Sequence, residues 1–213
     1  MLIVVRKRKT GDFLEHYFTN NNALDSAIRT LKYENKGRVF TFFSDLGVFS
    51  KDKIDYGSRV LVDTILKNES DVSSILDVGC GYGFIGVVLC SFFSSSCLFS
   101  DVNKRALHLC KRNIKENGIE GNVVESSIYD NIDGTFDIVV TNPPIRAGKG
   151  VVYSILKGAK IHLNKGGRLW FVMRKDHGVK TAIKDLSDVY EIEVMEKDKG
   201  FYIIRAKVID RVP

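Results

Sequence analysis

From Asp71 onward, short apolar runs alternate with longer amphipathic stretches. The runs at 74–78, 97–100, 122–125, 136–140 and 168–173 read as strands, and the stretches at 84–93, 104–117 and 151–163 read as helices. Strand and helix units that alternate in this way predict an α/β fold, with a parallel sheet covered by helices on both faces. The ending differs. VYEIEVMEK and GFYIIRAKVI are joined by a turn at 198–200, so the sheet is expected to finish with an antiparallel hairpin, making seven strands. Upstream, AIRTLKYENKGRVFTFF reads as a hairpin turning at 34–37, followed by the polar loop SDLGVFSKDKIDYGS and a helix over RVLVDTILKN with Ser58 as its cap. The expected division is a small β-hairpin attachment over 1–55, too short to bury its own core, and a main domain over 56–213.

Composition narrows the class. The 213 residues are 44% hydrophobic and 27% charged, ordinary for a folded globular chain. No apolar run reaches the roughly 18 residues of a bilayer helix, and MLIVVRKRK places its apolar residues before its charges, opposite to a secretory leader. A cytoplasmic protein without a membrane partner is expected. Cys80, Cys90, Cys97 and Cys110 lie in apolar segments without paired spacing and read as reduced core residues. His16, His108, His162 and His177 have no metal-ligand spacing, so no metal is expected. The net charge of +6 makes a phosphate-rich partner worth testing without establishing one.

Three segments carry candidate chemistry. In ILDVGCGYGFIG, Asp77 precedes Gly79, Gly81 and Gly83 between a strand and a helix, where glycines let a ligand approach the backbone and helix-start N–H groups would face it. Gly81 to Gly86 matches the dinucleotide fingerprint, but an acid just ahead of the first glycine opposes a pyrophosphate and suits a cationic ligand. Asp101, 24 residues after Asp77 at the next strand end, has the place of a ribose-binding carboxylate. The fourth strand of the sheet delivers Asn142-Pro143-Pro144-Ile145, and only one other proline occurs, at the last position. An amide or aromatic NH2 group is a poor nucleophile because its lone pair is delocalised. Two acceptors, the Asn142 side-chain oxygen and the Pro143 carbonyl, would each take one N–H and aim the lone pair at an electrophile, while the prolines fix the carbonyl direction.

With these segments together, the chain resembles class I S-adenosylmethionine-dependent methyltransferases acting on an amino group. TFFSDLGVFSKDKIDYGSRVLVDTI, DVGCGYGFIGVVL, TNPPIRAGKG and KDKGFYI are similar, more narrowly, to the small-subunit ribosomal RNA guanine-N2 methyltransferase family, from about His16 to the C-terminal hairpin. The resemblance implies a compact form carrying only the catalytic half, with a Rossmann-like fold and S-adenosylmethionine as cofactor. Gly79, Cys80, Gly81 and Gly83 would line the methionine end, with Asp77 near its amino group. Asp101 would hold the ribose, Val102 and Asn103 would flank the adenine, and Ser127 stands where many relatives place an Asp for the adenine amino group. Asn142 would serve both cofactor and substrate. Phe49, Ser50, Lys53 and Asp55 lie where the family closes over cofactor and substrate.

Ile145 departs from the wider amino-methyltransferase pattern, in which an aromatic residue often stacks on the target base. Another ring must then assist, and Phe49 is a candidate, although a buried place is its ordinary one. Arg146 and Lys149, with Arg6, Lys7, Arg8 and Lys9, would form a basic rim for RNA phosphates. The expected activity is methyl transfer to the N2 of a guanine in small-subunit ribosomal RNA, by a monomer whose partner is that RNA or the subunit. The alternatives are a glutamine-N5 protein methyltransferase and a catalytically silent cofactor- or RNA-binding module.

Overall fold

The computed structural model describes residues 25–209. Arg6, Lys7, Arg8, Lys9 and His16 lie outside the described residues.

Strands β1 (Arg29–Asn35) and β2 (Arg38–Ser44) form the expected antiparallel hairpin around Lys36 and Gly37. Helix α1 (Tyr56–Asn68) follows. It starts three residues before Arg59, where sequence placed it, because Asp55 rather than Ser58 is the cap: the Asp55 carboxylate accepts the Ser58 N–H at 2.8 Å. The main sheet then builds as β3 (Ser74–Val78), α2 (Phe84–Phe93), β4 (Ser96–Asp101), α3 (Lys104–Glu116), β5 (Gly121–Glu125) and β6 (Phe136–Thr141). Helix α4 (Lys149–Gly158) begins two residues earlier than its apolar pattern and passes into a 3-10 turn over Ala159–His162. The expected strand over 168–173 is the inner part of a longer β7 (Leu163–Arg174). Sequence reading missed α5 (Val179–Leu186), a short helix whose buried Val179, Ala182 and Leu186 are too few for a clear period. Strands β8 (Tyr190–Asp198) and β9 (Phe201–Val208) close the fold as a hairpin.

The seven strands are ordered β5-β4-β3-β6-β7-β9-β8, parallel except that β9 runs antiparallel to both its neighbours. Alternation along the central strands divides the core. Ile75, Ile138, Val140, Trp170 and Val172 pack toward α1, α2 and α3, whereas Leu76, Val78, Val139, Leu169 and Phe171 pack toward α4 and α5. The strand order reverses between β3 and β6, so the carboxyl ends of β3, β4 and β6 open on one crevice, the usual ligand position in such sheets.

The hairpin joins this core instead of standing apart. Phe42 of β2 is buried against Tyr82 and Phe84, Phe40 is buried beside Phe92, and Tyr33 of β1 meets Phe84 edge to face at 5.0 Å. Asn113 of α3 and Asn117, the residue that caps its C-terminus one turn later, bond the backbone of Phe43 and Thr41 on β2. This places residues 45–54, between hairpin and α1, beside the carboxyl ends of the sheet.

Candidate active site

The glycine turn is locked from within. The N–H groups of Gly79 and Cys80 both donate to the Ser100 carbonyl, at 2.8 and 2.9 Å, and Gly81 N–H donates to Asp101 Oδ2 at 2.8 Å. Gly83 N–H turns back to the Cys80 carbonyl at 2.9 Å. These four donors therefore point inward, whereas the N–H groups of Phe84 and Ile85 at the helix start have no hydrogen-bond partner among the described residues. Within the turn itself, glycine Cα surface is left for a ligand to approach. Gly79 and Gly81 have φ of +68° and +56°, and a Cβ on either would project into open space. Gly83 and Gly86 serve packing, since a Cβ there would lie 2.7 Å from Cys110 Sγ and 2.3 Å from Phe99. Cys80 and the other three cysteines are buried free thiols, and burial pushes the Cys80 thiol up.

Asp77 lies under this turn and is 1% exposed. Its Oδ2 accepts Gly86 N–H at 2.9 Å, capping α2 from a distance because Gly83, at the cap position, has no side chain to do so. Its Oδ1 is buried without a hydrogen-bond partner. Burial pushes the carboxyl up to about 7, and the nearby Asp101 charge adds to the rise. An orphaned carboxylate oxygen of this kind suits a cationic group, as the sequence indicated.

Asp101, at the end of β4, is raised by burial, opposed by the N–H groups of Asn103, Gly81 and Val102. Its two oxygens accept Gly81 and Asn103 N–H and retain lone pairs for a diol. Asn103 is buried, with Oδ1 capping α3 through Arg105 and Ala106 N–H and Nδ2 donating to the Gly47 carbonyl at 3.0 Å. That last bond, which no sequence signal announced, ties the 45–54 loop to the start of α3, beside Asp101. Val102 is half-buried beside it, and Ser127 is exposed just after Ser126, whose N–H donates to the Asp101 carbonyl.

At the end of β6, Thr141 is buried and its hydroxyl donates to the Val78 carbonyl at 2.8 Å, fixing the next residue beside the glycine turn. Asn142 Nδ2 donates to Asp55 Oδ2 at 3.1 Å and to Ser58 Oγ at 2.9 Å. Among the described residues, neither Asn142 Oδ1 nor the Pro143 carbonyl accepts a hydrogen bond, whereas the Pro144 carbonyl takes Ala147 N–H at 2.9 Å. The two acceptors expected from sequence thus stand side by side with their capacity intact. Ile145, half-buried, opens a 3-10 turn (Ile145–Ala147) that carries the exposed Arg146. Lys149 is also exposed, yet its ammonium lies 3.5 Å from Asp185 of α5 and 4.8 Å from the Tyr153 ring centre, so its charge is partly spoken for. In the 45–54 loop, Ser50 has φ of +55° and its hydroxyl donates to the Lys53 carbonyl, leaving the Lys53 side chain exposed. Phe49 is 55% exposed, which corrects its ordinary expectation as a buried aromatic.

A buried acid at the end of β4, a glycine turn after β3 and an Asn-Pro-Pro edge after β6, set at the switch point of this sheet, match the class I S-adenosylmethionine-dependent methyltransferase fold. The chain belongs to the methyltransferase small domain family, whose model matches residues 39–205. The uncharacterized protein YbxB of Bacillus subtilis (strain 168) is 42% identical over 200 residues, covering 92% of this chain and 99% of that protein. Ribosomal RNA small subunit methyltransferase C of Erwinia tasmaniensis is 37% identical over 131 residues, 59% of this chain and 38% of its own length. This chain thus spans well under half of that relative. Among solved structures, the T. thermophilus 16S rRNA N2 G1207 methyltransferase, in complex with AdoMet and guanosine, superposes with a TM-score of 0.77 at 20% identity, over 87% of this chain and 52% of the other. Ribosomal protein L11 methylase of Lactobacillus delbrueckii subsp. bulgaricus superposes at 0.64 with 18% identity, over 76% and 88% of the two chains. The fold is shared by enzymes named for RNA and for protein targets, so the substrate must be argued from the site.

Proposed function

We propose that this enzyme methylates the exocyclic N2 of a guanine in small-subunit ribosomal RNA. The observation that carries the reading is the pair of open acceptors at Asn142 Oδ1 and the Pro143 carbonyl, adjacent to the glycine turn of β3. S-adenosylmethionine, when bound, supplies the electrophilic methyl carbon on its sulfonium. The chain's own residues do the rest. Gly79 and Gly81 leave room beside the turn, and Asp77 and Asp101 offer carboxylate oxygens to an ammonium and a diol. Asn142 and Pro143 each accept one N–H of the target amino group, so its lone pair turns toward the methyl carbon, and the released proton leaves to water.

Support for RNA comes from relatives named as ribosomal RNA methyltransferases and from the exposed Phe49 and Arg146, a ring for a base and a cation for a phosphate. Extruding a base costs a few kcal/mol, which favours a looped or unpaired guanine. The test is to incubate the enzyme with labelled S-adenosylmethionine and small ribosomal subunits, free ribosomal RNA, or release factors. Label in RNA, lost in Asn142→Ala while that variant still binds cofactor, is the expected result. Label in protein, or an Asn142→Ala enzyme of full activity, overturns the reading.

A further inference from the structure

Asp55 stands 87 positions before Asn142, yet its Oδ2 gathers three donors: Ser58 N–H at 2.8 Å, the Ser58 hydroxyl at 3.1 Å and Asn142 Nδ2 at 3.1 Å. Asn142 Nδ2 also donates to Ser58 Oγ at 2.9 Å. Ser58 is buried, so its hydroxyl proton is directed to Asp55 and its lone pair to Asn142. A carboxylate oxygen only accepts, so turning the Asn142 amide over would set Oδ1 against Asp55 Oδ2, oxygen against oxygen. The nitrogen side is thereby fixed inward and Oδ1 outward. Donation from Nδ2 to Asp55 Oδ2 and Ser58 Oγ also polarises the amide and raises electron density on Oδ1, strengthening its acceptance of a further N–H.

We infer that Asp55, working with Ser58, is a positioning residue for methyl transfer: the cap of α1 sets the direction and basicity of the Asn142 oxygen that receives the target N–H. The inference rests on the proposed role of Asn142. It also explains why the cap stands at Asp55, since a cap formed by Ser58 three residues later would not leave a carboxylate facing β6.

The cap and the orienting bond can be separated. Asp55→Asn keeps an oxygen able to accept from the same donors. Asp55→Ser keeps an effective cap but shortens the side chain away from Asn142. With small ribosomal subunits and labelled S-adenosylmethionine, Asp55→Ser should lower kcat about 10- to 100-fold, leaving KM and cofactor affinity within about twofold, and Asp55→Asn should recover at least about a third of the wild-type rate. In ¹⁵N spectra, the Asn142 side-chain NH2 signals, assigned by their loss in Asn142→Ala, should shift in Asp55→Ser and stay near their wild-type positions in Asp55→Asn. Should Asp55→Ser fail to fold, Ser58→Ala, which leaves the Asp55 cap on the backbone, should move the same signals. Unmoved signals, equal losses in the two Asp55 variants, or a fully active Asp55→Ser beside an inactive Asn142→Ala overturn the positioning role. An active Asn142→Ala instead overturns the underlying reading of the site.

Discussion

Asn113 of α3 grips Phe43 of β2 by both backbone groups, donating from Nδ2 to its carbonyl at 3.0 Å and accepting its N–H on Oδ1 at 2.7 Å. Asn117, one turn later, does the same to Thr41 at 2.8 and 3.0 Å. Two side-chain amides thus stand in for a neighbouring strand along β2, satisfying an edge that would otherwise offer unpaired groups.

Replacing Asn113 with Ala should therefore be severe. Asn113 is fully buried, and its loss leaves the Phe43 N–H, the Phe43 carbonyl and the Tyr82 carbonyl without this partner, at a cost of about 3 kcal/mol in denaturant unfolding. Asn117→Ala, at a half-buried site, should cost less. Hydrogen exchange should show the Phe43 amide losing protection first in Asn113→Ala.

Cofactor binding should depend on pH through Asp77. A carboxyl raised to about 7 in the folded protein contributes stability that is fully present below its unfolded value near 3.8 and is lost as pH rises through 7. A cationic ligand favours the ionised form, so binding below pH 7 must displace a proton. Affinity for S-adenosylmethionine should rise from pH 5.5 to 7.5, with proton release visible as buffer-dependent heat in calorimetry. Asp77→Asn should abolish both effects.

The glycines of the turn should divide by function. Gly81→Ala carries a left-handed strain of about 1 kcal/mol and places a methyl group in the open space of the crevice, so cofactor affinity should fall more than stability. Gly83→Ala adds overpacking against Cys110, a further cost of about 1–3 kcal/mol, and should show chiefly as a lowered Tm. Thermal melts and cofactor titrations on both variants distinguish the two roles.

Phe49→Ala should raise KM for the RNA substrate and leave cofactor affinity unchanged, because the ring is exposed on a loop tied to α3 through Gly47. Loss of one base-stacking ring is worth about 1–3 kcal/mol, or roughly 5- to 150-fold. Phe49→Trp should retain a KM near that of wild type, and an unchanged KM in Phe49→Ala would remove Phe49 from the binding surface.

Much of this was legible along the chain. Period-two and period-3.6 patterning placed the strands and longer helices, since burial on a sheet or helix face imposes those repeats locally. The glycine turn, Asp101 and Asn-Pro-Pro were readable because each is a short motif bound to one strand end. Helix α5 carried too few buried residues to announce itself, and the cap of α1 fell to Asp55, whose carboxylate also accepts from Asn142 at the end of β6. The inward N–H groups of the turn, the exposure of Phe49 and the partner of Lys149 were likewise set by contacts between segments distant in sequence. The sequence by itself determined which polar groups stand at the strand ends. Only the tertiary structure decided how Asn142 is held, because the bonds that orient it come from residues 84 and 87 positions away, a relation that no local pattern records.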